Sequence, residues 1–195
     1  MSSLENPRYP ADFRQLSPSS RKNVVDYFKL VSDEIIRGDL DKKRTPLVLI
    51  AENWGYDFNL GTLIRNSNAF VASRVVIVGR RSFDRRSTVG THHYEHIEYF
   101  PELEPVIVSL KEQGYRVVIM DNIEGASSVG DYCWQEKTAI IFGQEGLGVT
   151  PEALALADDV VFIPQLGSVR SLNVGTASGI AIYDYMIKTG KLTNA

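Results

Sequence analysis

Five short stretches of the chain are almost entirely apolar, and they constrain the fold more than any other feature. They are Leu47–Ala51, Val75–Val78, Arg116–Met120, Ala139–Phe142 and Val160–Ile163. A strand that covers a core on one side alternates apolar and polar residues, whereas an unbroken Val- and Ile-rich run is typical of a strand buried on both faces. The pattern therefore predicts an α/β fold with a mostly parallel sheet and helices on both faces.

Helical patterns separate these predicted strands, as the α/β interpretation requires. They lie at residues 60–71, 101–113, 151–157 and 172–188. A weaker sixth strand is predicted at residues 96–99. The apolar positions of the last helix cover more than one narrow stripe, which is typical of a helix that packs on the core and on a partner subunit.

The N-terminal part has a different character. Three prolines predict a loose tail over residues 1–18, and helical spacing predicts a helix that begins after Ser19-Ser20 and ends at Gly38. The chain thus divides into an N-terminal tail and helix, residues 1–45, and an α/β domain, residues 46–195.

Composition narrows the environment and the partners. The single cysteine, Cys133, rules out an intrachain disulfide, and no apolar run approaches the ~20 residues of a membrane helix. With no apolar signal region at its N-terminus, the protein is expected to be cytoplasmic and free of membrane contact. The net charge of −3 disfavours a nucleic-acid partner, but residues 74–86 hold five arginines against one aspartate, a local charge of +4.

Three polar, glycine-bearing segments follow predicted strands, where ligands bind in open α/β sheets. They read N-x-G-x-x-x-R from Asn59 to Arg65, F-G-x-E-G-x-G from Phe142 to Gly148, and I-P-x-x-G-x-x-x-S-L-N-V from Ile163 to Val174. Helix caps at Asn59, Thr150 and Ser171 explain part of each segment in purely structural terms. Neither a G-x-G-x-x-G nor a Gly-Lys-Ser/Thr phosphate loop is present, which disfavours a dinucleotide-binding enzyme and an NTPase.

The order and spacing of these segments resemble the three motifs of the SpoU/TrmH-like branch of the SPOUT-class RNA methyltransferases. The resemblance covers residues 46–188, and the third motif is the most specific. Two positions depart from the family pattern, since Gln144 and Gly175 stand where the family often has serine. The resemblance implies an α/β fold with a C-terminal trefoil knot, a homodimer, and transfer of a methyl group from S-adenosylmethionine to a ribose 2′-hydroxyl of tRNA or rRNA.

Site residues follow from the same resemblance. It implies that the cofactor lies against the loops after the fourth and fifth predicted strands. The cofactor-binding residues would be Gly143, Glu145, Gly146, Gly148, Ile163, Pro164, Leu166, Gly167, Ser171 and Leu172. The polar set expected around the reacting groups is Asn59, Arg65, Glu145, Ser171 and Asn173. Because a guanidinium stays protonated, Arg65 is expected to position the hydroxyl and stabilise the developing alkoxide, with an RNA phosphate or another group accepting the proton.

Two further clusters lie between the first and second motifs. Arg80, Arg81, Arg85 and Arg86 flank Phe83, a combination that suits phosphate contacts and base stacking, so this loop is a candidate RNA-binding site. The His92–His96 stretch lacks the spacing of a zinc site, and no metal is expected. It is expected to border the RNA site or form a short strand.

Other functions remain open at this stage. A SPOUT protein can methylate an RNA base, and a protein of this fold can bind RNA without catalysis. The Asn59-to-Arg65 motif and Ser171-Leu172-Asn173 favour ribose methylation. The shortness of the N-terminal part slightly favours tRNA over rRNA.

Overall fold

The computed structural model describes residues 23–53, 59–144 and 146–192 of the 195-residue chain. Five α-helices lie in the described part: α1 (Asp33–Asp41), α2 (Leu60–Ala69), α3 (Glu104–Glu112), α4 (Pro151–Leu156) and α5 (Val174–Lys188). The strands are β1 (Thr45–Asn53), β2 (Ala72–Gly79), β3 (Ile97–Phe100), β4 (Arg116–Met120), β5 (Ser127–Ser128), β6 (Thr138–Phe142) and β7 (Asp159–Phe162). Short 3₁₀ turns occur at Asp26–Phe28, Arg85–Thr88 and Thr91–His93.

The described strands form one seven-stranded sheet in the order β3-β2-β1-β6-β4-β7-β5. Each neighbouring pair is parallel, which confirms the predicted α/β class. All five apolar runs lie in strands, apart from Ile163 just past β7. β3 is the weak sixth strand, displaced by one residue. β5 was not predicted, because two serines carry no strand pattern and its position is set by pairing with β7.

The sheet is buried on both faces, as unbroken apolar strands require. Successive residues of β1 point to opposite sides: Leu49 joins a core with α2 and α5, whereas Ile50 joins a core with α3 and α4. Burial of such side chains stabilises the fold by about 1.5–3 kcal/mol each. The carboxyl ends of β1, β6, β4 and β7 therefore meet at one edge of a well-packed sheet.

The prediction of one helix ending at Gly38 is wrong in the described part, and its predicted start lies outside that part. The Ser32 side chain accepts a hydrogen bond from the Ile35 amide, so α1 begins there and continues through Gly38 to Asp41. Leu40 extends the helix because it packs with Phe28, Ile36 and Tyr94 in a small separate core.

Candidate functional site

A cavity of about 730 Å³ opens at the carboxyl ends of β4, β6 and β7. Its wall combines apolar side chains with glycine backbone and a few polar groups, the usual composition of a small-molecule site. The segments that form it are Met120–Ile123, Phe142–Gln144, Gly146–Gly148, Ile163, Gln165 and Arg170–Val174, together with Ala177. Both the second and the third predicted motif contribute to this one cavity.

The loop after β6 is held in a tight turn. The amide of Gln144 donates to the carbonyl of Gly148, and the Gly148 amide donates back, each at 3.0 Å. A β-carbon on Gly143 would lie 2.3 Å from the Gly148 carbonyl carbon, so only glycine fits. Gly146 and Gly148 have φ of +84° and +70°, where glycine is unstrained. Gly143, Gly146 and Gly148, which are predicted to bind the cofactor, line the cavity, and Glu145 lies outside the described residues.

The loop after β7 places only part of its predicted cofactor-binding residues at the cavity. Ile163, Ser171 and Leu172 line the cavity, whereas Pro164, Leu166 and Gly167 do not. The Leu166 side chain is fully exposed. The intervening residue, Gln165, faces the cavity and was not singled out in the sequence, because glutamine in a polar loop carries no pattern of its own.

Asp121 is a second cavity residue that sequence reasoning missed. It directly follows β4, and its Oδ1 accepts a hydrogen bond from the Asn122 amide at 2.7 Å. Its Oδ2 accepts from the Val149 amide at 3.2 Å and so ties the end of β4 to the loop after β6. In the sequence, polar residues were sought at the carboxyl ends of the first, fourth and fifth predicted strands. The same search after the third predicted strand, Arg116–Met120, would have found Asp121.

The N-termini of α2 and α5 meet beside the cavity. Asn173 donates its Nδ2 hydrogen to the Oδ1 of Asn59 at 2.8 Å, although 114 residues separate them in sequence. Of the three expected helix caps, Thr150 is confirmed, because its Oγ1 accepts from the Ala153 amide at the start of α4. The other two are wrong: Asn59 occupies the N-cap of α2 without a side-chain cap, and Asn173, not Ser171, caps α5 by accepting from the Thr176 amide. Ser171 is exposed and lies two residues before that cap.

Arg65 is exposed on α2 and does not line the cavity. The next residue, Asn66, fixes α2 on α5 by donating to the carbonyl of Gly175 and to the Oγ of Ser178, both at 2.9 Å. A β-carbon at Gly175 would lie 2.7 Å from Thr62 Cγ2, which explains why serine is absent there. Arg65 is therefore carried on a helix whose position is fixed relative to the cavity wall.

The arginine-rich loop packs on the same helix. Gly61 of α2 touches Ser87, since a β-carbon there would lie 1.7 Å from the Ser87 Oγ. Phe83 is half-buried and packs against the main core, so only part of its ring remains open for the base stacking expected of it. The Phe83 ring also makes an edge contact with the His92 ring, and this contact contributes to its burial.

The arginines of this loop are not equivalent. The guanidinium of Arg81 lies 4.9 Å from the centre of the Tyr99 ring, and Arg86 forms an ion pair with Asp84. Arg80 and Arg85 are exposed to solvent. The cationic surface is thus present beside α2, with two of its four guanidinium groups already engaged by neighbouring side chains.

The histidine stretch is part of the scaffold. His92 Nδ1 lies 2.5 Å from Thr88 Oγ1, and His96 Nε2 lies 2.8 Å from Asp41 Oδ1. Burial lowers the pKa of His92, and the neighbouring His93 adds to this effect. Within residues 23–53, 59–144 and 146–192, no group of three His, Cys, Asp or Glu side chains could hold a metal ion.

Among the described residues, none of the helices is both long and apolar enough to traverse a lipid bilayer. Cys133, the single cysteine of the chain, is exposed and free. Trp134 beside it donates its indole N–H to Asp184 at 2.6 Å.

The fold and the cavity define an α/β protein with a cavity of small-molecule size at the ends of three adjacent parallel strands. The sequence profile of the SpoU rRNA Methylase family matches residues 46–183. The chain belongs to this family. Its relatives include the tRNA (guanosine(18)-2′-O)-methyltransferase of Thermus thermophilus, 30% identical over 155 residues and 78% of each chain. The Escherichia coli K12 enzyme of the same name is 28% identical over 148 residues, covering 74% of this chain and 65% of its own.

Solved structures support the fold. The A. aeolicus TrmH/SpoU tRNA modifying enzyme superposes with a TM-score of 0.73 at 23% identity, covering 82% of this chain and 83% of its own. The SpoU methyltransferase AviRb from Streptomyces viridochromogenes, in complex with AdoMet, gives a TM-score of 0.67 at 21% identity over 80% of this chain and 62% of its own. At these identities the likeness establishes the fold alone.

Proposed function

We propose that this protein transfers a methyl group from S-adenosylmethionine to a ribose 2′-hydroxyl of RNA. The observation that carries the proposal is the cavity at the ends of β4, β6 and β7. It is built from the second and third motifs of the family and joined to the first motif by the Asn59–Asn173 hydrogen bond. The Thermus thermophilus and Escherichia coli relatives, named as ribose methyltransferases, support the same reaction.

The cavity suits an adenosine-containing cofactor. Its volume of about 730 Å³ lies within the range of roughly 300–1,000 Å³ that is usual for small-molecule sites. Apolar side chains at Phe142, Ile163 and Leu172 can cover the adenine, and the glycine backbone of the loop after β6 allows close approach. The complex of AviRb with AdoMet supports this assignment.

The cofactor supplies an electrophilic methyl group, and the chain's own residues must prepare the ribose hydroxyl. An alcohol is a weak nucleophile until its proton leaves or its developing charge is stabilised. We assign this task to Arg65, whose permanent positive charge can orient the hydroxyl and stabilise the alkoxide. A guanidinium cannot accept the proton, so an RNA phosphate or another group takes it.

Other residues would position the reacting groups. Asn173 lines the cavity and holds Asn59, which places the start of α2 against the start of α5. Asn66 fixes the helix turn that carries Arg65. We include Ser171 and Glu145 in the same polar set, on the basis of the family motif alone. Pro164, Leu166 and Gly167 stay in the proposed cofactor-binding set on that basis too.

RNA would reach this site across the cationic loop. Arg80 and Arg85 are exposed and suited to phosphate contacts, which dominate the affinity of proteins for RNA. To contact phosphates as well, Arg81 would have to leave or share the Tyr99 ring, and Arg86 would have to leave or share Asp84. The tRNA-modifying relatives support tRNA as the substrate class, and rRNA is the alternative.

We further propose a homodimer that uses α5, and a C-terminal trefoil knot. Ile180, Tyr183 and Ile187 are exposed at helical spacing on α5, with exposed fractions of 38%, 50% and 50%. Burial of such a stripe by a second copy would stabilise association through the hydrophobic effect. The knot rests on the family resemblance, and its loops would be those that line the cavity.

The assignment of Arg65 is tested by Arg65→Ala. The control is Lys42→Ala, which removes an exposed cation at the residue that directly follows α1. We expect Arg65→Ala to lose methyl transfer while its affinity for S-adenosylhomocysteine, measured by calorimetry, stays at the wild-type level. The control variant should retain both. Near-normal turnover of Arg65→Ala would overturn the assignment.

A further inference from the structure

The amide of Gln165 differs from the other polar groups of the cavity wall. Its Oε1 atom is buried and has no hydrogen-bond partner within the part of the chain that the structure describes. Both carboxylate oxygens of Asp121, by contrast, accept backbone hydrogen bonds, and Asn173 is engaged with Asn59 and Thr176. Gln165 is thus a cavity residue with an unused buried acceptor.

Such an acceptor is unfavourable for the protein alone. A buried carbonyl oxygen loses its hydrogen bonds to water, and the loss is not offset unless another donor replaces them. The side chain does not support the fold through this atom, so its place on the wall is best explained by a ligand that donates to it.

We propose that Gln165 Oε1 accepts a hydrogen bond from a neutral N–H or O–H group on the adenosine half of the cofactor; this inference rests on the proposed function. A neutral amide suits the adenine amino group or a ribose hydroxyl, whereas a charged ammonium is matched by a carboxylate. Asp121, the carboxylate of the described wall, follows β4 and would suit the ammonium of the cofactor. Gln165 follows β7 beside Ile163, and its amide would suit the adenosine half. Gln165 is therefore a specificity-determining residue for an adenosine ligand.

Removing the Gln165 acceptor should weaken ligand binding without destabilising the ligand-free protein. Gln165→Met keeps the length of the side chain and removes the acceptor. We expect S-adenosylhomocysteine to bind about tenfold more weakly, because the ligand's donor is left without a partner in a desolvated site. The melting temperature of the ligand-free variant should equal or exceed that of the wild type, because an unsatisfied buried group has been removed.

The experiment compares wild type, Gln165→Met and the control Gln135→Met, which changes an exposed glutamine outside the cavity wall. Affinities are measured by calorimetry for S-adenosylhomocysteine and for 5′-methylthioadenosine, which lacks the amino-acid half. The variant should lose the same factor, within about twofold, for both ligands, and the control should lose none. The 6-oxo (inosine) analogue separates the donors: a penalty that disappears identifies the amino group, and one that persists identifies a hydroxyl.

Three results would overturn the inference. They are equal affinities of wild type and Gln165→Met, a loss confined to S-adenosylhomocysteine, and a fall in the ligand-free melting temperature, which would assign the amide to the fold. If the wild-type protein itself binds no S-adenosylhomocysteine, the proposed function is wrong, and so is the role proposed for Gln165. If the wild type binds normally and the variant is unaffected, only the role of Gln165 fails.

Discussion

Replacing Gly143 with alanine tests whether the loop after β6 shapes the cavity as its backbone contacts indicate. The new β-carbon would lie 2.3 Å from the carbonyl carbon of Gly148, 2.4 Å from its oxygen and 2.4 Å from the Val149 nitrogen. Carbon atoms in ordinary contact are about 3.5–4.0 Å apart, so backbone must move by more than about 1 Å. Backbone atoms, unlike the end of a flexible side chain, cannot rotate away.

The structure gives the magnitude of the effect. Overpacking costs about 1–3 kcal/mol, and each of the two Gln144–Gly148 hydrogen bonds that the shift breaks contributes about 0.5–1.5 kcal/mol. A loss of about 3 kcal/mol lowers the melting temperature by roughly 6–12 °C for a chain of this size. Because the displaced loop lines the cavity, the affinity for S-adenosylhomocysteine should fall at least about tenfold.

Differential scanning calorimetry and isothermal titration measure the two effects on the same samples. Gly38→Ala is the matched control, because it lies inside α1 with nothing within 4 Å of the added β-carbon. Alanine there should raise the free energy of unfolding by up to about 1 kcal/mol and leave ligand binding unchanged. Wild-type melting temperature and affinity in Gly143→Ala would refute the account of this loop.

Three more variants test other parts of the structure. Arg44→Met leaves Glu95, which is fully buried and whose pKa is raised by burial, without its ion-pair partner at 3.1 Å. Because the pKa of this carboxyl is raised, its ionisation destabilises the folded state as the pH rises. In urea unfolding, the free energy of unfolding of the variant should be about 3–5 kcal/mol below that of the wild type at pH 8, with a smaller difference at pH 5. A larger difference at pH 5 than at pH 8 would contradict this. Reversing charge at Arg80 and Arg85 should weaken RNA binding and flatten its salt dependence in filter-binding assays, and an unchanged slope would exclude the loop. Ile187→Asp should convert a dimer to monomer in sedimentation at micromolar concentration, whereas a wild-type monomer would refute the dimer.

Local pattern was sufficient for the sheet. Arg116–Met120 was predicted as a strand with the bounds that β4 has, and Leu47–Ala51 lies inside the longer β1. Unbroken apolar runs report burial on both faces, which is a property of each strand by itself. β5 could not be predicted, because its two serines are in a strand only through the neighbour they pair with.

The parts of the site that depend on a short local motif could be predicted from the sequence. The contacts between residues that are distant in sequence could not. The sequence singled out the glycines of the loop after β6, and they line the cavity, because the tight turn that they form is local. The Asn59–Asn173 hydrogen bond joins residues that are far apart in sequence, and it replaced the local capping role expected for Asn59. The contact of Arg81 with Tyr99 was not predictable for the same reason, because Arg81 lies in the loop after β2 and Tyr99 lies on β3.

Methyl transfer to a ribose hydroxyl can be followed through the labelled product that it leaves in the RNA. Labelled S-adenosylmethionine is incubated with the protein and with fractionated, unmodified tRNA and rRNA, and the RNA is then digested to nucleosides. We predict label in a 2′-O-methylnucleoside from tRNA. Label on a base would retain the fold and the cofactor but contradict the ribose chemistry, and the absence of label from every RNA by a protein that binds S-adenosylhomocysteine would contradict catalysis itself.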